Sequence, residues 1–378
     1  MSRLGLIFLL ACALPGLLPA QGDIRNPTVD GQTAEGGLIT QAGIADDPAV
    51  KIKFLETFVE KFSTHAAIGY VYFQLETLYL GQENYDKTVE YGEKLLKIVP
   101  NDLEVRHNLI KGYEGKGDYA ALLTILTETK PLADKVVAGP KPSNLGDGEW
   151  KTQVEYAEGV VQYLEYSLYT SLLKITDGAT KVKYVETLRE LYPEGQYTKQ
   201  SGEQLVAAYQ ALGDYPKMFD AMRESLAVNP NNEGFLYTLA EQHTRNNELD
   251  QGKKYADQLL TVIGQKAKPE GVPDETWAAQ KALFTALGNF VLGRILTIQE
   301  KYREGRTLLL KSVDPIKAQG GENYGVLGYF LGICYVKLDV GGDNIVAARN
   351  WMTVGASTPS AYQGEAKNVL SKLPKVAQ

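Results

Sequence analysis

Cysteine and histidine are the scarcest chemistry-bearing residues in this 378-residue chain, with two of the first and three of the second. The cysteines, Cys12 and Cys334, stand near opposite ends, and only Cys334 remains once an N-terminal export signal is removed. A disulfide framework is thereby excluded, so stability must come from apolar burial, which a chain of this length supplies. Cys334 itself lies within FLGICYVKL, the surroundings of a buried small hydrophobe. His65, His107 and His243 are far apart, and no Cys or carboxylate cluster joins them at ligand spacing, which excludes a His/Cys metal centre. Neither the Gly-x-Ser-x-Gly elbow of a hydrolase nor a phosphate-cradling or dinucleotide glycine loop occurs. Gly325, Gly328 and Gly332 of GVLGYFLG follow no strand pattern and read as small residues for close helix packing. Basic excess is absent too: 39 Lys and Arg face 46 Asp and Glu, a net charge of −7, which carries no electrostatic footprint for nucleic acid. Carboxylate pairs such as Glu56/Glu60 and Glu186/Glu190 read as solvated helix surface. No catalytic residue, no metal and no cofactor is expected.

The N-terminus has one charge in twenty residues, Arg3, ahead of a short apolar run from Leu4 to Leu14 and small residues to Ala20. That run is too short to span a bilayer and reads as an export signal over residues 1–20. Leu9-Leu10-Ala11-Cys12 offers a second reading, a lipobox with a lipid anchor at Cys12. Both place the protein outside the cytoplasm, with the periplasm as the first expectation and an outer-membrane lipoprotein or a secreted protein as variants. Residues 21–47, rich in Gly, Asp, Thr and Gln, are expected to form a flexible leader in which the apolar stretch GGLITQAGIA docks weakly, with ordered structure from Asp47-Pro48.

What the chain has is repetition. Residues 51–101 lie without a gap on residues 181–231, identical at 13 of 51 positions, including Glu56/Glu186, Leu75/Leu205, Tyr79/Tyr209, Tyr85/Tyr215 and Pro100/Pro230. Within each copy, apolar residues recur three and four apart, as in Tyr72, Leu75 and Tyr79, the stripe of an amphipathic helix. The stretch YDKTVEYGEKLLKIVP follows as a second helix closed by proline, and LIKGYEGKGDYA, LVAAYQALGDYP, LAEQHTRNNELD and LGICYVKL repeat the first-helix pattern. These motifs resemble the tetratricopeptide repeat, a helical hairpin with a period of about 34 residues. The resemblance covers most of residues 49–373 and implies an all-α, tetratricopeptide-type helical-hairpin solenoid, a right-handed superhelix, with longer helices and loops inserted between repeat pairs.

The Lys-Pro loops AGPKPSNLGDGEW and AKPEGVPDETW recur at a shift of 127, each leading into a helix opened by Trp150 or Trp277. The expected organisation is therefore block one at 48–177, block two at 178–303 and a shortened third block at 304–378.

In the tetratricopeptide family the first helices line a concave surface, so the resemblance implies a partner groove. Tyr72, Leu75 and Tyr79 face the core, leaving Tyr70, Phe73 and Thr77 as groove candidates, followed by His107 and Lys111 and by Tyr237 and Glu241 in the second block. Phe73 and Thr77, then Glu203 and Ala207, stand where a carboxylate-clamp Lys/Asn pair belongs, so chain-terminus binding is not carried over. Tyr156, Tyr163, Tyr166 and Tyr169 form an aromatic stripe that reads first as inter-helix packing. The function expected is a non-enzymatic protein–protein interaction scaffold of the bacterial cell envelope, gripping a segment of another envelope protein. The alternative is an oligosaccharide- or small-ligand-binding envelope protein, for which Trp150 and Trp277 beside long loops are the support.

Overall fold

The computed structural model describes residues 24–338 and 343–374, so the expected export signal and Cys12 lie outside the described residues. Every regular element among those residues is helical. The chain divides into two compact units, Met1–Leu212 and Gly213–Gln378. Unit 1 contains α1 (Ala34–Ile44), α2 (Pro48–Lys61), α3 (Ile68–Gly81), α4 (Tyr85–Leu96), α5 (Leu103–Lys116), α6 (Tyr119–Ala138), α7 (Asp147–Lys174), α8 (Gly178–Leu191) and α9 (Gly202–Leu212). Unit 2 contains α10 (Tyr215–Val228), α11 (Glu233–Arg245), α12 (Leu249–Gln265), α13 (Asp274–Ile298), α14 (Tyr302–Leu310), α15 (Val313–Gln319), α16 (Gly321–Leu338), α17 (Asp343–Ser357) and α18 (Gln363–Lys372). Neighbours in sequence pack as hairpins, among them α3 with α4 and α5 with α6 in unit 1, and α11 with α12 and α16 with α17 in unit 2.

The helix starts repeat as the sequence does. They fall at 48 and 178, 85 and 215, 103 and 233, and 119 and 249, each a shift of 130. Their cause is local. Asp47, Asn84, Asp102, Asp118, Asp177, Asp214 and Asn232 each accept a hydrogen bond from a backbone N–H of the first turn, satisfying a donor the helix leaves orphaned. One residue ahead of three of these caps the backbone turns left-handed, with φ of 69° at Gly117, 70° at Gly213 and 56° at Glu83, and Asn247 does the same at 61° ahead of α12, whose cap residue Glu248 makes no such bond. Glycine takes that conformation without strain, whereas Glu83 and Asn247 hold it against their own Cβ atoms.

Burial follows the stripes. Ile52, Leu55 and Phe58 of α2 meet Val71, Leu75 and Tyr79 of α3 and Tyr91 of α4 in the first core cluster. In unit 2, Phe290 of α13 packs with Leu327, Phe330, Leu331 and Cys334 of α16. Cys334 is fully buried, as its apolar surroundings require. Helix α13 is long and apolar enough to cross a membrane by length and composition, but half of its apolar window is buried by protein. It packs against α11, α12, α14 and α16, which makes it a core helix of unit 2.

The leader differs from expectation. Ordered structure does not wait for Asp47. Helix α1 forms within it, capped by Thr33, and Val29, Leu38 and Ile39 pack onto the first core cluster. The Gly-rich stretch AEGGLITQAGI has little amphipathic pattern of its own, and its helix is held by α2.

The Lys-Pro loops have a shared purpose that the residue pattern marked without explaining. Lys141 reaches the first-turn carboxylate of Asp147 at the start of α7, and Lys268 reaches Asp274 at the start of α13 in the same way. The recurring lysine thus tethers each loop to the helix it introduces.

Candidate partner-binding face

Helix α5 buries Val105, Leu109, Ile110 and Tyr113 against its neighbours and leaves His107, Lys111 and Glu114 on its other side. Helix α7, 28 residues long, buries Ala157, Val160, Leu164, Leu168 and Leu172 and turns three tyrosines toward that side. The His107 ring lies 4.6 Å from the Tyr163 ring, and its Nδ1 is 3.1 Å from the Tyr156 hydroxyl. Lys111 holds its ammonium 5.7 Å from the centre of the Tyr163 ring, a cation–π contact. The Tyr163 hydroxyl donates to Glu114 at 2.5 Å, and Ser167 donates to the other oxygen of the same carboxylate. Burial, reinforced by Lys111, pulls His107 down to about 4, so its imidazole is neutral at pH 7. Its Nε2 is buried with no partner.

Two of the tyrosines remain open. Tyr156 is 40% exposed and Tyr166 is 50% exposed. Beside Tyr166 an open cleft of about 420 Å³ is lined by Glu114, Tyr119, Thr170, Ser171, Leu173 and Lys174. Tyr169 and Tyr197 stack with ring centres 4.7 Å apart, closing the stripe at that end. The α7 stripe is thus partly packing and partly surface, which its period alone did not separate.

The remaining candidates do not join this face as exposed anchors. Phe73 is buried, capped by the Arg25 guanidinium 4.9 Å from its ring centre, and Tyr70 is half-buried against the first core cluster. Thr77 is exposed on α3. Tyr209, aligned with the buried Tyr79, is only half-buried. In unit 2, Tyr237 is half-buried and its hydroxyl accepts from Asn323 at 3.0 Å. Glu241 is 8% exposed and is engaged by Arg294, with Arg245 at 3.3 Å. Arg294 is 2% exposed and lies 5.0 Å from the Phe290 ring centre and 5.4 Å from that of Phe330.

The contrast between units has a residue-level cause. At the 130 shift His107 and Lys111 become Tyr237 and Glu241, and at the 127 shift Tyr163, Tyr166 and Ser167 become Phe290, Gly293 and Arg294. Helix α13 therefore loses its outward tyrosines, and a carboxylate on α11 acquires an arginine across from it. Unit 2 fills this face with a buried ion pair.

No family model and no curated protein matches the chain. Solved structures do. The crystal structure of yeast Tom70 is 12% identical, with 91% of this chain and 88% of that one covered and a TM-score of 0.27. The crystal structure of the P58(IPK) TPR domain is 10% identical over 91% of this chain and all of that chain, with a TM-score of 0.28. The hetero-tetramer Cut9–Hcn1 of the APC/C is 10% identical over 91% and 90%, also with a TM-score of 0.28. The architecture stands on the helices themselves: an all-α chain of helical hairpins with tetratricopeptide spacing. Among the described residues no group of three or more His, Cys, Asp or Glu side chains is placed to hold a metal.

Proposed function

We propose that this protein is a non-enzymatic scaffold of the bacterial cell envelope that holds an extended segment of a partner protein against the α5/α7 face of unit 1. The observation that carries the reading is the pair of open rings, Tyr156 and Tyr166, flanking a neutral histidine and a lysine. Tyrosines of this kind supply large contact area with few rotatable bonds and a polar tip, which suits peptide recognition. Support for the envelope is the export-signal pattern of residues 1–20, whether cleaved after Ala20 or anchored at Cys12.

The test uses residues 21–378 beside a Tyr156→Ala/Tyr166→Ala variant of matched helicity, both offered to envelope extract. Both side chains are open to solvent, so their removal spares the core. Retention of a protein by the parent and its loss by the variant is the expected result. Identical retained sets would remove the face from consideration. An oligosaccharide bound by the parent and lost on Trp150→Ala would favour the small-ligand alternative.

A further inference from the structure

The first described residues of the chain lie at the edge of this face. Ile24 is 9% exposed and packs with Phe73, Leu95 and Val105. Arg25, beside it, lies over the Phe73 ring and forks into two carboxylates. Its Nη1 and Nη2 donate to Asp102 at 2.8 and 3.0 Å, and its Nε and Nη2 donate to Glu104 at 3.2 and 2.7 Å. Ring and carboxylates come from α3 and the start of α5, the helix that also carries His107 and Lys111. Burial and the nearby charges of Glu104 and Asp102 together raise the Tyr156 hydroxyl to about 12, so the two carboxylates lie within electrostatic reach of the tyrosine face.

This arrangement has the parts of a recognition pocket: an apolar slot for a branched side chain, an aromatic floor and two carboxylates set for a planar guanidinium. The fork geometry suits arginine and not lysine, whose point charge cannot pair bidentately. Its occupant is enclosed on one side only: Asp102 is 17% and Ile24 9% exposed, whereas Arg25 and Glu104 are 37% and 44% exposed and remain open to exchange with solvent. Lifting Ile24 and Arg25 away would leave Asp102 and Glu104 facing each other without a cation.

We propose that this pocket is a subsite of the partner-binding face, that it recognises an apolar residue followed directly by arginine on the partner segment, and that Ile24–Arg25 of this chain occupies it until displaced. The proposal rests on the reading of the α5/α7 face as a partner site and adds the chemistry of what that site selects. The chain's own segment is the template for the ligand, and competition between the two sets the threshold for binding.

The test is fluorescence anisotropy with a labelled, acetylated peptide of residues 24–33. It is titrated into residues 21–378, into the same chain carrying Ile24→Ser/Arg25→Ser, and into that variant with Asp102→Asn/Glu104→Gln added. Asparagine keeps the α5 cap that Asp102 provides to the N–H groups of Glu104 and Val105. Binding to the opened variant should be at least about tenfold tighter than to the parent, and should vanish in the quadruple variant. A peptide with citrulline in place of arginine, isosteric and uncharged, should bind at least about tenfold more weakly and decides the matter even where the quadruple variant fails to fold. Equal binding to parent and opened chains, or indifference to citrulline, overturns the proposal. Should the peptide fail while capture still depends on Tyr156 and Tyr166, the subsite falls and the scaffold reading stands. Loss of both removes both.

Discussion

Glu76 is a carboxyl group with no access to solvent, lodged between α3, α4 and α5. One oxygen accepts from Asn108 at 3.4 Å and the other has no partner. Burial is the main reason its pKa rises to about 9, with Asp102 and Glu104 adding to the rise and Asn108 and Arg25 opposing it. The group is therefore protonated in the fold at neutral pH, while in the unfolded chain it ionises near 4.5. The sign follows. Between these values the folded state binds the extra proton, so its stabilising effect is complete below about 4.5 and is lost as the pH climbs to about 9. Each pH unit in that window removes about 1.4 kcal/mol, or roughly 4 kcal/mol between pH 4.5 and 7.5. Glu76→Gln keeps the shape and the acceptor for Asn108 but cannot ionise. Parent and variant should unfold at similar urea concentrations at pH 5, and the variant should gain steadily at pH 6.5 and 8, followed by helical circular dichroism. Parallel pH profiles for the two proteins would refute the protonated-carboxyl account.

Two further outcomes follow from the same kind of accounting. Arg294→Met should lower stability by about 2–3 kcal/mol, because it leaves the buried Glu241 carboxylate with only the half-exposed Arg245 as counter-charge, and adding Glu241→Leu should recover most of the loss; urea midpoints of the two variants check this. Glu83→Gly should raise stability by roughly 0.5–1 kcal/mol, since it relieves the left-handed strain at φ 56° and returns part of the gain as unfolded-chain entropy, read from the melting temperature.

The sequence period carried over to the helices because the capping residues share it. Asp47 and Asp177, Asn84 and Asp214, and Asp102 and Asn232 each stand 130 apart, so aligning the copies also aligned where helices begin. His107 and Lys111 share one side of α5 for the same local reason, whereas the α7 tyrosines, read from their period as packing, are partly surface. Phe73 could not be placed that way. Its cover, Arg25, pairs with residues 77 and 79 positions away, and no helical period encodes such a contact. Glu241 was misplaced likewise, because its partner Arg294 lies 53 positions on, on a different helix. Placing either residue from its own stripe treated the rest of the chain as absent. A visible signal did exist for Glu241: lysine becomes glutamate at 241 where serine becomes arginine at 294, a paired exchange between aligned copies.

Under the proposed function, that exchange also sets the valence of the molecule. A chain with two equivalent open faces would grip two segments at once, and a partner carrying several such segments would then be cross-linked into extended networks. With Arg294 seated on Glu241, one of the two aligned faces is withdrawn from the surface. On the partner-binding reading proposed above, what remains at these positions is a single reader per chain, suited to pairing with one partner segment at a time instead of gathering many.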